Sequence, residues 1–127
     1  MSYSYFIDSF AWIEYYNGTE RAEKIKHIVE NEEIATSIIT MAELSDKFAR
    51  EKLDFEQFLI FIQSRSVILP ITLHIALKAG NIKNEIRKKH RDFGLADAII
   101  LQTAIENQVT LISGDPEFEN VENVLLI

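Results

Sequence analysis

The 127-residue chain is long enough for one domain around a single core of ordinary size. Its 47% hydrophobic and 26% charged residues mark it as globular rather than disordered, and the absence of cysteine excludes disulfides and thiolate metal sites and suits a reducing, cytoplasmic setting. No apolar stretch approaches the roughly 20 residues of a membrane helix, nothing at the start reads as a secretory leader, and a net charge of −7 works against binding phosphate-rich partners.

In chain order, the pattern predicts a first strand over residues 3–7, then a short helix over 9–16 stopped by Asn17-Gly18. A second helix is expected over 19–31, with Ala22, Ile25, Ile28 and Val29 on one face, and a strand over 34–38. Helices over 40–51 and 55–63 precede a β-branched strand at 67–71. A long helix over 73–89, a break at Gly94, a helix over 95–107, and strands at 109–112 and 121–127 complete the chain. The helix face of Phe55, Phe58, Leu59 and Ile62 and the cluster Trp12, Tyr15 and Tyr16 read as packing surfaces, and His27, His74 and His90 as surface or partly buried residues.

Short, nearly all-apolar strands alternating with helices argue for a parallel sheet covered on both faces. Ligands bind such sheets beyond the carboxyl ends of the strands, where strand order reverses. Acids stand at just those positions. Asp8 directly follows the first strand, where it also suits a helix N-cap. Glu43 lies three residues after Thr40, a spacing that reads as a capping box. Asp115 ends Ser113-Gly114-Asp115-Pro116, which is also turn chemistry. Asp97 is harder to explain structurally, because it falls over Ile100, Leu101, Ala104 and Ile105, while Gln102 and Glu106 take the opposite side. A carboxylate in an apolar stripe needs a cation or a hydrogen-bond network.

Four converging carboxylates raise one another's pKa unless counter-charge is supplied. Oxygen-only ligands without Cys or nearby His suit Mg²⁺ or Mn²⁺ rather than zinc, and such sites suit phosphodiester hydrolysis. Between Lys78 and Asp92, six basic residues face two acidic ones, a local excess of +4. This is either the solvated face of a helix or a phosphate-binding surface, Lys83, Arg87, Lys88 and Arg91 being the candidate contacts. There is no phosphate-cradling glycine loop and no nucleophile elbow.

Four segments in order, Phe6-Ile7-Asp8-Ser9, Thr40-Met41-Ala42-Glu43-Leu44, Gly94-Leu95-Ala96-Asp97-Ala98-Ile99-Ile100 and Leu111-Ile112-Ser113-Gly114-Asp115-Pro116-Glu117-Phe118, closely resemble the PIN-domain nucleases, in particular VapC-type toxins. The resemblance covers essentially residues 1–127 as a single domain. It implies a three-layer α/β/α Rossmann-like sandwich and a Mg²⁺- or Mn²⁺-dependent endoribonuclease with Asp8, Glu43, Asp97 and Asp115 as its metal-binding, catalytic acids. It further implies that Ser113 positions the site, in a place where Thr is commoner, and that Glu117 matches a further acid found in some relatives. Ser9 is placed to point its hydroxyl or N–H at the site, or to cap a helix. The resemblance implies a structured RNA substrate, an antitoxin partner and a homodimer. Related domains act on DNA or in housekeeping RNA processing, and those substrates stay open. A receiver-like phospho-accepting domain would need paired acids after the first strand and a Lys after a late one, neither of which is present. A catalytically idle binding module is countered by the intact acids.

Overall fold

A computed structural model describes residues 3–127. Five parallel strands, β1 (Tyr5–Ile7), β2 (Ile34–Ser37), β3 (Ser66–Leu69), β4 (Thr110–Ser113) and β5 (Val124–Leu126), form one sheet in the order β3-β2-β1-β4-β5. Tyr5 pairs with Ile34 on one side and with Thr110 on the other, so the chain leaves β1 toward β2 and later returns to β1's other edge as β4. The switch point therefore lies between the carboxyl ends of β1 and β4.

Each strand feeds both faces through its pleat. Ile7, Ile34 and Ile112 meet α1 (Ser9–Asn17), α2 (Lys26–Asn31), α3 (Ile38–Arg50) and α4 (Glu56–Arg65) through Trp12, Val29, Leu44, Phe48, Phe58 and Ile62. Phe6, Ala35 and Leu111 meet α5 (Leu73–Ile86) and α6 (Leu95–Glu106) through Ala79, Ala98, Ile100, Leu101 and Ala104. Two separate buried clusters with a sheet between them make the three-layer sandwich. Trp12 is fully buried in the first, its indole Nε1–H donating to Thr36 Oγ1 at 3.1 Å. Thr36 in turn shares a 2.7 Å bond with Ser66 Oγ, so the polar atoms beneath Trp12 are paired.

The expected elements are present, with four corrections. The helix expected over 19–31 is a 3-10 turn (Arg21–Lys24) followed by α2, because Thr19 Oγ1 accepts from Ala22 N–H and turns the chain; Ala22, Ile25 and Val29 remain buried. The helix after β2 starts at Ile38, not Thr40, with Ser37 as N-cap accepting from Ile39 N–H. The Thr40–Glu43 capping box is thereby excluded, since Thr40 is already inside the first turn. Helix α5 ends at Ile86, so Arg87–Arg91 lie in the following turn, where Arg87 Nε donates to Arg91 O. Gln102, assigned to the solvent side of α6, is 8% exposed and bonds to Glu106. Gly18 ends α1 in the left-handed region at φ 62°, as the Asn-Gly pair indicated.

Candidate functional site

Two strands and two helix starts position the acids. Asp8 continues β1 and caps α1, accepting from Ala11 N–H at 2.8 Å. Asp115 follows β4 and caps the 3-10 turn Pro116–Phe118, accepting from Glu117 N–H at 3.0 Å. Because β1 and β4 are adjacent and in register through Ile7 and Ile112, these two acids flank the switch point. Glu43 lies one turn into α3, and Asp97 in the first turn of α6, so both helices aim their amino ends at the same sheet edge. Gly114, between Ser113 and Asp115, is packed so closely on Phe10 that an added Cβ would run into the ring. Glycine is required there to let α1 close against the loop that carries Asp115.

The hydroxyls tie the acids together. Ser113 Oγ accepts from Asp115 N–H at 3.0 Å and bonds to the Asp8 carboxyl, so one side chain bridges two site loops. Ser9 Oγ donates to Glu43 Oε1 at 3.2 Å, linking α1 to α3. Asp97 Oδ2 accepts from Gly94 N–H at 2.8 Å. This bond supplies the structural partner that Asp97 lacked in the sequence pattern, a reach back from the third helical residue to the cap.

The electrostatics follow from this placement. Burial pushes the Asp8 carboxyl up to about 7; bonds from Ser113 and Ala11 N–H hold it down, and the Asp115 and Glu43 carboxylates push it further up. Glu43 is raised by burial against its Ser9 bond, and by Asp97 and Asp115. Asp97 is raised by burial against its Gly94 bond, and by Asp115 and Glu117. Every charged group acting on these three carboxyls is another carboxylate. The fold therefore assembles Asp8, Glu43, Asp97, Asp115 and Glu117 within one another's fields and leaves them short of positive charge.

That deficit and the all-oxygen donor set fit a hard divalent cation. As the side chains stand, no three acids or histidines among the described residues close on a single point in ion-holding geometry. The fit is thus one of charge and donor type. Lys83, Arg87, Lys88 and Arg91 are not among the groups acting on the acids: Arg87, Lys88 and Arg91 are exposed, Lys83 is half-buried, and Lys88 Nζ bonds Glu85 at 3.2 Å. Two buried oxygens have no hydrogen-bond partner among the described residues, Glu117 Oε2 and Thr40 Oγ1. Nothing in the sequence singled out Thr40 for the site, because its spacing to Glu43 reads as a cap. No helix among the described residues is long and apolar enough to cross a membrane.

Solved structures share this fold. A toxin–antitoxin complex from Klebsiella pneumoniae matches with TM-score 0.73 and 23% identity over 96% of both chains. VapBC2 from Rickettsia felis, bound to a DNA fragment from its promoter, matches with TM-score 0.74 and 24% identity over 97% of this chain and 96% of that one. VapBC-1 from nontypeable Haemophilus influenzae matches with TM-score 0.69 and 26% identity over 97% and 96%. No curated protein matches the sequence. The sequence pattern of the PIN domain matches residues 5–124, nearly the whole of the sheet and both helical layers, and the chain belongs to the PIN-domain family.

Proposed function

We propose that this PIN domain is a metal-dependent endoribonuclease, the toxin of a VapBC-type toxin–antitoxin pair. The observation that carries the reading is the set of mutually acting carboxylates at the β1/β4 switch point with no cationic side chain among them. Asp8, Glu43, Asp97 and Asp115 would hold Mg²⁺ or Mn²⁺, with Glu117 as a further acid beside Asp97. A divalent cation held there supplies charge to neutralise a phosphodiester and a water acidic enough to attack it. The chain's own contribution is to hold the carboxylates. Ser113 fixes Asp8 and Asp115, Ser9 fixes Glu43, and Gly94 N–H fixes Asp97. Lys83, Arg87, Lys88 and Arg91 would meet RNA phosphates farther from the cleaved bond.

The structural relatives support the biological setting. Several were solved as toxin–antitoxin complexes, and VapC20 of Mycobacterium tuberculosis, 15% identical, is described as a toxin that cleaves the sarcin–ricin loop. An antitoxin partner and an RNA substrate for this chain follow by analogy. A homodimer is supported by Leu73 and Leu77, one turn apart on α5 and 74% and 70% exposed.

The test is incubation of the purified protein with structured RNA and with DNA of matched sequence, with Mn²⁺ and with excess chelator. RNA cleavage that requires the metal and disappears in Asp97→Asn is the expected result. Intact RNA under all conditions with correctly folded protein sinks the reading, and preferential DNA cleavage changes the substrate.

A further inference from the structure

Among the described residues, the buried hydroxyls are paired, with one exception. Thr36 shares a bond with Ser66, Ser37 accepts from Ile39 N–H, and Ser113 bonds both Asp115 N–H and Asp8. Thr103 returns its hydroxyl to Ile99 O at 2.7 Å, the ordinary resort of a helical threonine. Thr40 is fully buried in the first turn of α3, yet its Oγ1 makes no such bond and has no partner. A buried polar atom left unmade is unfavourable, and native folds keep few of them without a use. Its place in the fold suggests that use. Thr40 precedes Glu43 by three residues, so the two lie one turn apart on the same side of α3, with the buried Leu44 beside them. The other unpartnered oxygen, Glu117 Oε2, belongs to a residue that acts on Asp97. The orphaned atoms thus belong to a residue one helical turn before Glu43 and to a residue that acts on Asp97.

We propose that Thr40 is a positioning residue of the acid site, its hydroxyl held for a water carried by the divalent cation. This rests on the metal-dependent reading above. Small divalent cations such as Mg²⁺ keep several of their waters, and buried hydroxyls that take bonds from those waters hold the ion without ligating it. In the metal-free protein the hydroxyl is a liability; with the cation bound it is satisfied.

The two states give opposite signs in one variant. Thr40→Val keeps the shape and deletes the hydroxyl. Melting of the metal-free protein is expected to rise by roughly 2–4 °C, while Mn²⁺ affinity measured by calorimetry falls about tenfold. Thr40→Ser should restore the affinity. Should the valine variant fail to fold, Thr40→Ala against Thr40→Ser makes the same comparison of hydroxyl against none. Wild-type Mn²⁺ affinity in the hydroxyl-free variant overturns the assignment and leaves the metal reading standing. A wild-type protein that takes up no Mn²⁺ removes the metal reading and this assignment with it.

Discussion

The two sides of the switch point hold their acids by different means. On the β1 side, Asp8 is 4% exposed and accepts from Ala11 N–H, and Glu43 alone is restrained by a side chain from another helix, Ser9 of α1. On the β4 side, Asp97 and Asp115 accept bonds from backbone N–H groups within three residues of themselves. Asp8, Asp97 and Asp115 therefore have work to do in a folded chain with no metal. Glu43 caps nothing, because the helix it was expected to cap starts earlier, at Ser37, and its one side-chain bond among the described residues is from the hydroxyl of Ser9. Structural duty and chemical duty are distributed unequally over four residues that look alike in sequence.

The largest effect should be on turnover. Asp8→Asn and Asp97→Asn are each expected to lower the cleavage rate by about 10³, equivalent to about 4 kcal/mol of transition-state stabilisation, read in a single-turnover RNA assay. The sides then separate in stability. Asp97→Ala should also lose about 1 kcal/mol of folding stability with its cap, which the asparagine avoids, whereas Asp8→Asn should stabilise the metal-free protein. Equal melting shifts for Asp97→Ala and Asp97→Asn would break the distinction.

Next is the response to pH. Asp8 has a folded pKa of about 7 against an ordinary value of 3.8, so between those values the folded state binds more protons than the unfolded one. Stability of the metal-free protein must then fall as pH rises through that window, with a limit on the order of 4 kcal/mol. Denaturant melts at pH 5 and pH 8 should show it, and saturating Mg²⁺ or Mn²⁺ should flatten it. A metal-free protein more stable at pH 8 than at pH 5 would contradict the burial of an ionisable Asp8. A smaller loss is expected for Gly114→Ala, which forces Phe10 off the β4 loop and should destabilise by about 1–3 kcal/mol, measured by the same melts. The smallest is Ser9→Ala, which removes one bond to Glu43 worth about 1 kcal/mol. It should weaken Mn²⁺ binding severalfold and lower the metal-free melt by no more than a few degrees.

The placement of the acids was legible because strands announce themselves through short apolar runs, and the residue after each run lies at the sheet's carboxyl edge. Phe6-Ile7-Asp8 and Leu111-Ile112-Ser113 needed no tertiary information. The roles of the individual acids were less legible. Ile38 and Ile39 extend the apolar run of β2, which hid the helix start at Ser37 and made Thr40 look like the cap; only the structure shows Ile38 to be half-exposed and already helical. Asp97 seemed unexplained because its partner is the N–H of a glycine, a group that hydropathy patterns cannot register. Helix α6 is buried nearly all round, so the division into apolar and polar sides that placed Gln102 in solvent did not apply. Like charges packed at Arg87-Lys88-Lys89 mark the end of α5, three residues before the point that periodicity alone gives.

Trp12 has a practical consequence. It is the only tryptophan in the chain, it is fully shielded, and its backbone N–H bonds to the Asp8 carbonyl at 3.0 Å. Its ring meets Tyr15, Phe58 and Phe61 edge-on and donates to Thr36 beneath the sheet edge. Intrinsic fluorescence of this molecule therefore comes from a single indole in a single environment, one helical turn from the innermost acid. Emission will shift to the red when the first core layer opens, and any rearrangement of Asp8 on loading can be followed at the same wavelength without a label.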